Sequence, residues 1–500
     1  MSVAILLIAV PAVFGFICLG LPVPRWRLAA MVGGTWANLA VLVWSWRAHL
    51  GPLEDEFLGI DPLGHLIVTV VGLLFAATSL HFVGYHRAAL ISQRIFLACM
   101  LGLLTALNLV CVSQNLGLLW VALEASTLAA TPLIYFHRGA RALEAAWKFL
   151  LMNSVGIALA LLGVFCTALA TIRVDESVSL NISDLVKHGP FLDPVWLRTG
   201  FLLMLVGYGT KMGLAPLHSW LPDAHGEAPA PISALLSGAV LNAAFLAILR
   251  EYQLCNAAGL GDFAGGWLIA FGLLSMAVAS VFVIGQRHFK RLLAYSSVDH
   301  MGILAVAVGL GGAASYPTML HVLHNVFYKG ALFFVAGIIG HVYGTYEIAD
   351  IRGTLHRYPV LGFLLLAALL AAVGMPPFGL FYSELGILFA AASSGHWWTL
   401  AAFALFLCVV FVGMVTAVLP MVFGGQLEGP EYGGAMGHHE RWRFRTMAAA
   451  AGLLIVIGLA LGVYQPAGVR AALTAAAQTL DPESHDEVSG LARAQIEEDR

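Results

Sequence analysis

Apolar runs of about 20 residues recur along almost the whole chain, separated by short polar stretches. A run of that length is what a helix needs to cross the hydrocarbon of a bilayer. On that rule the pattern predicts about fourteen spans. They lie at 3–21, 28–46, 62–82, 95–112, 116–136, 147–172, 200–219, 229–250, 265–285, 292–311, 316–341, 358–394, 397–424 and 447–465. Two of the runs are interrupted. The seventh carries Pro216 soon after Lys211, with Gly207, Gly209 and Gly213 around it. The twelfth is too long for one straight helix and contains Gly374, Met375, Pro376 and Pro377. Proline removes a helix donor and clashes with the preceding turn, so both spans are expected to be discontinuous. They sit five spans apart. A five-span unit used twice is related by an inverted axis, because five is odd. The expected architecture is therefore an all-α polytopic membrane protein of about 14 transmembrane helices. It contains two inverted five-helix repeats, with helices 7 and 12 broken. The expected segments are 1–94 (helices 1–3), 95–250 (helices 4–8), 251–424 (helices 9–13) and 425–500 (the last helix and a short polar tail).

Composition agrees with the pattern. The 500 residues are 60% hydrophobic and only 11% charged, whereas a soluble chain is about a quarter charged. Its solvent must be mostly the lipid bilayer. A net charge of −3 with no basic run gives no support for nucleic-acid binding. The six cysteines, Cys18, Cys99, Cys111, Cys166, Cys255 and Cys408, form no C-x-x-C pair. No dinucleotide fingerprint or P-loop is present. No cofactor and no metal is expected in this chain, so redox chemistry or ATP, if used, must come from another chain. The N-terminus lacks a positively charged leader region and reads as a first transmembrane helix rather than a cleaved signal peptide.

Loops after odd-numbered spans hold most of the Lys and Arg, including Arg25, Arg94, Arg138, Lys290, Arg352 and Arg443. Loops after even-numbered spans hold only Arg47, Arg173, Lys187, Arg198 and Arg250. The odd loops are expected in the cytoplasm, with both termini on the other side. Beyond residue 466 an Ala-rich stretch and an acidic end are expected to lie at the interface or to be disordered.

A lysine at the centre of a span costs about 2.5–3.5 kcal/mol on insertion scales. Ionisable residues inside the runs therefore need a reason. Glu124 lies mid fifth span and Lys211 at the break of the seventh. His321, His324, Asn325 and Lys329 lie in the eleventh, in HVLHNVFYKGALFF, and Glu384 lies just past the break of the twelfth. His321, Asn325 and Lys329 are spaced i, i+4, i+8 and share one helical face. Stacked through a bundle, these acid–base groups form a lateral polar line. A lysine between burial and a nearby carboxylate can hold or release a proton, and a movement of Glu124 would switch it. Plainer readings stay open. Lys329 can snorkel to an interface. Glu124 and Lys211 can form a structural ion pair. Glu384 can cap the half-helix after Pro377. His218 and His225, near a span end, are expected to bond loop groups. His321 and His324 lack an apparent third metal ligand.

With these residues the chain resembles the antiporter-like membrane subunits of respiratory complex I, membrane-bound hydrogenases and multisubunit Na+/H+ antiporters. The resemblance covers residues 60–425 and is strongest in KMGLAPLHSWLPDAHGEAPAPISALLSG, KRLLAYSSVDHMGIL and HNVFYKGALFF. It implies fourteen helices, two inverted five-helix repeats and proton sites at Glu124, Lys211, Lys329 and Glu384 joined by water. GEAPAPISALLSGAVLN looks most like the component F type of the hydrogenase-4 group. Two departures stand out. Asn242 occupies a place where many relatives carry a lysine, and His324–Asn325 reverses the more usual order. The short tail differs from the complex I subunit that bears a long lateral helix. The function this implies is a proton-translocating subunit of a membrane-bound redox complex in the cell (inner) membrane. Its partners would be other membrane subunits and a peripheral hydrogenase- or dehydrogenase-type module. A secondary Na+/H+ antiporter subunit, or a scaffold that has lost transport, remains the alternative.

Overall fold

The computed structural model describes residues 3–47, 57–85, 93–172, 174, 178–425 and 438–480. These residues hold twenty α-helices with short 3-10 and π turns between them, and the only β pairing among them is isolated bridges. The first six helices are α1 (Val3–Gly20), α2 (Pro24–Arg47), α3 (Pro62–Tyr85), α4 (Gln93–Val112), α5 (Leu116–Ile134) and α6 (Ala140–Ala170). The short α7 (Ile182–Lys187) follows, then α8 (Pro194–Met212) and α9 (Trp220–Glu227). Next come α10 (Ala230–Leu235), α11 (Leu241–Ala257), α12 (Gly261–Val283), α13 (Phe289–Leu310) and α14 (Ser315–Tyr343). The last are α15 (Thr354–Arg357), α16 (Pro359–Ala372), α17 (Gly379–Ser393), α18 (Trp397–Phe423), α19 (His438–Val463) and α20 (Ala467–Leu480).

Among the described residues, twelve helical segments are long and apolar enough to cross a membrane. Adding the broken pairs α8–α9 and α16–α17 makes fourteen, in line with the sequence pattern. Each pair lies where glycine and proline predict a break. Gly213 closes α8 at φ +82, and Gly374 follows α16 at φ +66, left-handed values that suit glycine. The peptide bonds before Pro216 and Pro377 are cis. Helix starts are also legible. Asn115 accepts from the N–H groups of Gly117 and Leu118 at 3.0 and 3.3 Å. Asp193 accepts from Val195 N–H at 2.9 Å, with Pro194 at the first helical position.

Two spans are walled off from lipid by the others. The α10–α11 span and α14 are buried along their whole apolar windows. α14 packs against α3, α10, α13, α16, α17, α19 and α20. Its polar face therefore looks onto protein. α6 and α8 approach so closely that a Cβ on Gly207 would meet the Gly156 carbonyl, the small-residue contact common between membrane helices.

The structure departs from the sequence reading in two places. The eighth span runs on to Ala257, past its expected end near 250, and bends through a π turn at Leu236–Val240. This draws Arg250 and Glu251 inside, at 2% and 1% exposure. The Ala-rich stretch after residue 466 is neither disordered nor a free interfacial segment. It is α20, which buries Leu473, Ala476, Ala477 and Leu480 against α3, α11 and α14. Asn256 Nδ2 holds the α20 end through the Leu480 carbonyl at 3.0 Å. The acidic end, 481–500, lies outside the described residues.

Arg250 is thus no loop charge. Its Nη1 donates to Asp61 Oδ2 at 2.8 Å and its Nη2 to Asp61 Oδ1. Gln114 Nε2 and Gly64 N–H donate to the same carboxylate at 3.3 Å. This bidentate pair clamps α11 to the start of α3 and to the α4–α5 link. Burial alone would raise the Asp61 carboxyl, but the Arg250 guanidinium, Gln114 and the Gly64 N–H outweigh it and hold it below the usual carboxylate range.

Asp61→Asn leaves Arg250 buried without a counter-charge, a loss of about 3–5 kcal/mol, and should melt at a lower temperature in detergent. The depressed folded value means the pair contributes fully above about pH 4, the unfolded value. That contribution is lost as pH falls through the lower folded value. The melting gap between wild type and variant should stay flat from roughly pH 5 to 8 and close only in stronger acid. A gap that closed near neutrality would refute this role.

Candidate functional site

The site begins where α8 ends. Gly213 takes the left-handed turn, and the Leu214 N–H reaches back to the Gly209 carbonyl at 2.8 Å. The rest of the break is satisfied from outside the helix. Trp220 Nε1 donates to the Thr210 carbonyl at 2.8 Å, and Ala215 N–H donates to Ser275 Oγ at 2.9 Å. Lys211 sits in the last turn of α8, fully buried. Its Nζ donates to the Leu123 carbonyl at 2.8 Å and to Thr127 Oγ1, both on α5.

Glu124, next to Leu123, acts on Lys211 electrostatically. It is not bonded to it. Among the described residues no carboxylate lies within ion-pair distance of Lys211, so the simple structural pair is not what forms. Glu124 Oε1 accepts from Ser154 Oγ of α6 at 2.8 Å, and Oε2 is buried with no protein partner. The residue as a whole is only half-buried. Around it on α5 and α6, Val121, Leu128, Leu151 and Val155 are exposed.

The second break builds a second cluster, on α13, α14 and α17. Lys329 is fully buried mid-helix, too deep to snorkel. Its Nζ donates to Ser296 Oγ of α13, and Asp299 and Glu384 are its charged neighbours. The cap position of α17 is Phe378, with no side-chain bond. Glu384 lies beyond the first turn and is no cap. It faces the break instead: a Cβ on Gly374 would sit against its Oε2.

His321 does not pair with His324. Its Nε2 meets His300 Nδ1 at 3.0 Å, and its Nδ1 meets Ser383 Oγ at 3.0 Å. His300 Nε2 meets the Ala372 carbonyl, at the end of α16, at 3.1 Å. That carbonyl only accepts, so His300 Nε2 carries a proton. A neutral His300 then accepts at Nδ1, and His321 donates from Nε2. His321 Nδ1 is then left facing Ser383 Oγ, whose one proton also has the Leu380 carbonyl as an acceptor at 2.9 Å. The result is a directional chain from His321 through His300 to the broken end of α16, with Ser383 at its start. His300, His321 and Glu384 bring one ligand atom each to within 4.8 Å of one another, but the ring nitrogens of both histidines are committed to this chain. His324 bonds the Leu320 carbonyl of its own helix at 2.9 Å.

Between the two clusters the polar groups change character. Asn242 Nδ2 is spent on the Gly238 carbonyl at 3.0 Å, and its Oδ1 is buried without a partner. One turn earlier, in the π turn, Ser237 Oγ meets Ser297 Oγ of α13 at 2.7 Å. Ser297 adjoins Ser296, the Lys329 partner. π turns recur at functional sites, and this one offers a hydroxyl link around Asn242. Asn325 is buried with both side-chain atoms unpartnered. His225 departs from its expected bonding to loop groups. It is buried with both ring nitrogens unpartnered and stacks on Phe333, centroids 4.9 Å apart. His218, at the break, is partly exposed and bonds the Pro216 backbone. Asp299, His300, Ser237 and Ser296 were not singled out from sequence. An acid and a histidine inside the apolar tenth run were the available signal.

A family model described as NADH:quinone oxidoreductase/Mrp antiporter, TM matches residues 113–410. The chain belongs to this family. It is 36% identical over 452 residues to the hydrogenase-4 component F homolog of Methylacidiphilum infernorum, covering 86% of this chain and 91% of that one. It is 31% identical to the NADH-quinone oxidoreductase subunit N of Desulforudis audaxviator, covering 87% of each. A chain of respiratory complex I from Thermus thermophilus superposes with TM-score 0.75 at 26% identity, over 93% of this chain and 99% of that one.

Gly374→Ala should lower the melting temperature, since the backbone alone costs about 1–2 kcal/mol in the left-handed region and Glu384 must turn away. Gly395 has a similar φ of +73 but nothing near its Cβ position, so Gly395→Ala isolates the backbone part. Gly374→Ala should melt lower than Gly395→Ala. Equal losses would show that Glu384 does not press on Gly374.

Proposed function

We propose that this member of the NADH:quinone oxidoreductase/Mrp antiporter family is the proton-translocating subunit of a membrane-bound redox complex of hydrogenase-4 or NADH–quinone oxidoreductase type. Electron transfer in partner subunits drives it. The observation that carries this reading is the pair of buried ionisable clusters, one at each broken helix. Both lie in a chain whose cysteines are scattered and free. The two units divide after α11, since a boundary at 250/251 would cut that helix (Leu241–Ala257), and each brings one cluster.

The chemistry follows from the bonds. Lys211 holds two of its protons against Leu123 and Thr127, which leaves one donor position for exchange. Glu124 shares α5 with both acceptors, so a shift of α5 changes the field on Lys211 and its hydrogen bonds together. In the second cluster Lys329, Asp299 and Glu384 share one buried site. Passing a proton among them leaves the total charge unchanged, which avoids the cost of adding charge in low dielectric. The paired hydroxyls of Ser237 and Ser297, next in sequence to the Lys329 partner Ser296, are the polar groups from which a path toward the first cluster would start. Glu124 is half-buried at the apolar α5–α6 face, with its carboxylate turned inward to Ser154. Val121, Leu128, Leu151 and Val155 are exposed around it, and an ionisable residue at such a face suits a partner membrane subunit better than lipid. The cytoplasmic side is that of the odd-numbered loops, and both termini lie opposite.

Lys211→Met should reduce proton translocation to background in reconstituted vesicles, while the complex assembles and uncoupled electron transfer continues. Pumping at the wild-type rate would sink the assignment. Co-purification in mild detergent separates the rival: redox subunits are expected with the tagged chain, whereas small antiporter subunits alone would make it part of a secondary antiporter.

A further inference from the structure

We propose that Glu251, together with Tyr208, is a further proton-holding site that joins Lys211 to the cavity at the C-terminal end of α11. It rests on the translocation reading above and extends it. Glu251 is 1% exposed, and neither carboxyl oxygen has a hydrogen-bond partner among the described residues. Tyr208 is fully buried on α8, which packs against α11, and its hydroxyl is likewise unpartnered. The two groups act on each other electrostatically. Tyr208 precedes Lys211 by three residues, one helical turn, on the same side of α8.

The cations and donors nearest Glu251 in the chain and across α8 are committed elsewhere. Arg250, adjacent on α11, is locked to Asp61 of the α3 start in two bonds. Cys255, one turn on, is a buried thiol. Lys211 is bonded to α5. A buried carboxyl group with no fixed partner is expensive as mere structure, and an apolar side chain of similar size would pack there at lower cost. The same lack of a partner lets it load and unload a proton without first breaking a bond.

The cavity supplies the far end. It measures about 730 Å3 and lies between the ends of α11, α13 and α20 and the start of α12. Tyr252 and Gln253, the next two residues after Glu251, line it, with Asn256, Asp262 and His396. Gln253 Oε1 is also buried without a partner. A proton leaving Lys211 by Tyr208 reaches Glu251 and then a polar-walled space with a carboxylate and an imidazole on its walls. It emerges on the side of the even-numbered loops, opposite the side that carries Lys290 and Arg291.

The test uses the whole complex in vesicles, with Glu251→Gln, Glu251→Asp and Lys211→Met. Translocation per electron and the infrared carboxyl C=O band on a pH jump are read together. Glu251→Gln should fall to the Lys211→Met level with uncoupled electron transfer unchanged, lose one carboxyl band, and be rescued in part by Glu251→Asp. Wild-type pumping in Glu251→Gln while Lys211→Met is dead overturns this site and leaves the translocation reading standing. Wild-type pumping in Lys211→Met overturns the reading beneath it. If Glu251→Gln does not assemble, Glu251→Asp decides. Its carboxyl band shifts when residue 251 exchanges a proton, and an unmoved band refutes the proposal.

Discussion

Breaking a helix inside hydrocarbon frees carbonyl and N–H groups that lipid has nothing to bond, and each must find a partner within the protein. This chain does so twice, and each time the partners come from neighbouring helices. At the first break Trp220 takes the Thr210 carbonyl and Ser275 takes the Ala215 N–H. At the second, His300 takes the Ala372 carbonyl and the Tyr328 hydroxyl accepts from Gly379 N–H at 3.2 Å. At the second break one of these groups, His300, also belongs to the site, through its bond to His321. There the stability of the bundle and the chemistry of the site share a residue; at the first break Trp220 and Ser275 close the backbone while Lys211 turns to α5.

The two breaks use opposite charges. Lys211 sits in the last turn of α8, where the helix dipole favours a cation. Its partners are oxygens of α5 that carry no formal charge. Glu384 stands past the start of α17, where Lys329 of α14 attracts its charge and Asp299 of α13 repels it. One half thus presents a lone cation steered by a distant carboxylate. The other presents a compact group of one cation and two acids. A proton moved from the first to the second passes from a site tuned by movement of α5 to one that spreads charge among its own members.

Much of this was visible in the chain itself. Span lengths follow from apolar runs, and both breaks follow from Gly213, Pro216, Gly374 and Pro377. Lys211, Lys329 and Glu384 were visible because a charge amid apolar residues has no cheap explanation. What escaped notice did so for a physical reason at span ends. Arg250 reads as a loop charge because hydropathy ends the eighth span at 250, and only the π turn and the run to Ala257 place it, with Glu251, inside. Lys290 likewise counts as a loop cation by sequence, yet it is 2% exposed and donates to the Gly226 carbonyl at 3.0 Å. Hydropathy alone cannot say whether a charge near a boundary faces water or the end of another helix. Nor can it show that His321 turns toward His300 rather than His324, since that depends on how α13 and α14 face each other.

Asn242 acts differently in the fold from what its place in the sequence suggests. An amide in place of an ionisable group looks like a gap in the line of proton sites. In the folded chain the Asn242 amide nitrogen is spent on its own helix, and the π turn beside it brings Ser237 against Ser297. A hydroxyl both donates and accepts, so a pair of them can reverse direction as a proton passes, which an amide locked by its nitrogen cannot do. Ser237 lies within that turn. Connection between the halves then depends on backbone geometry in α10–α11 rather than on a titratable side chain at position 242. A substitution that straightened this turn would separate the two clusters while leaving every ionisable residue in place.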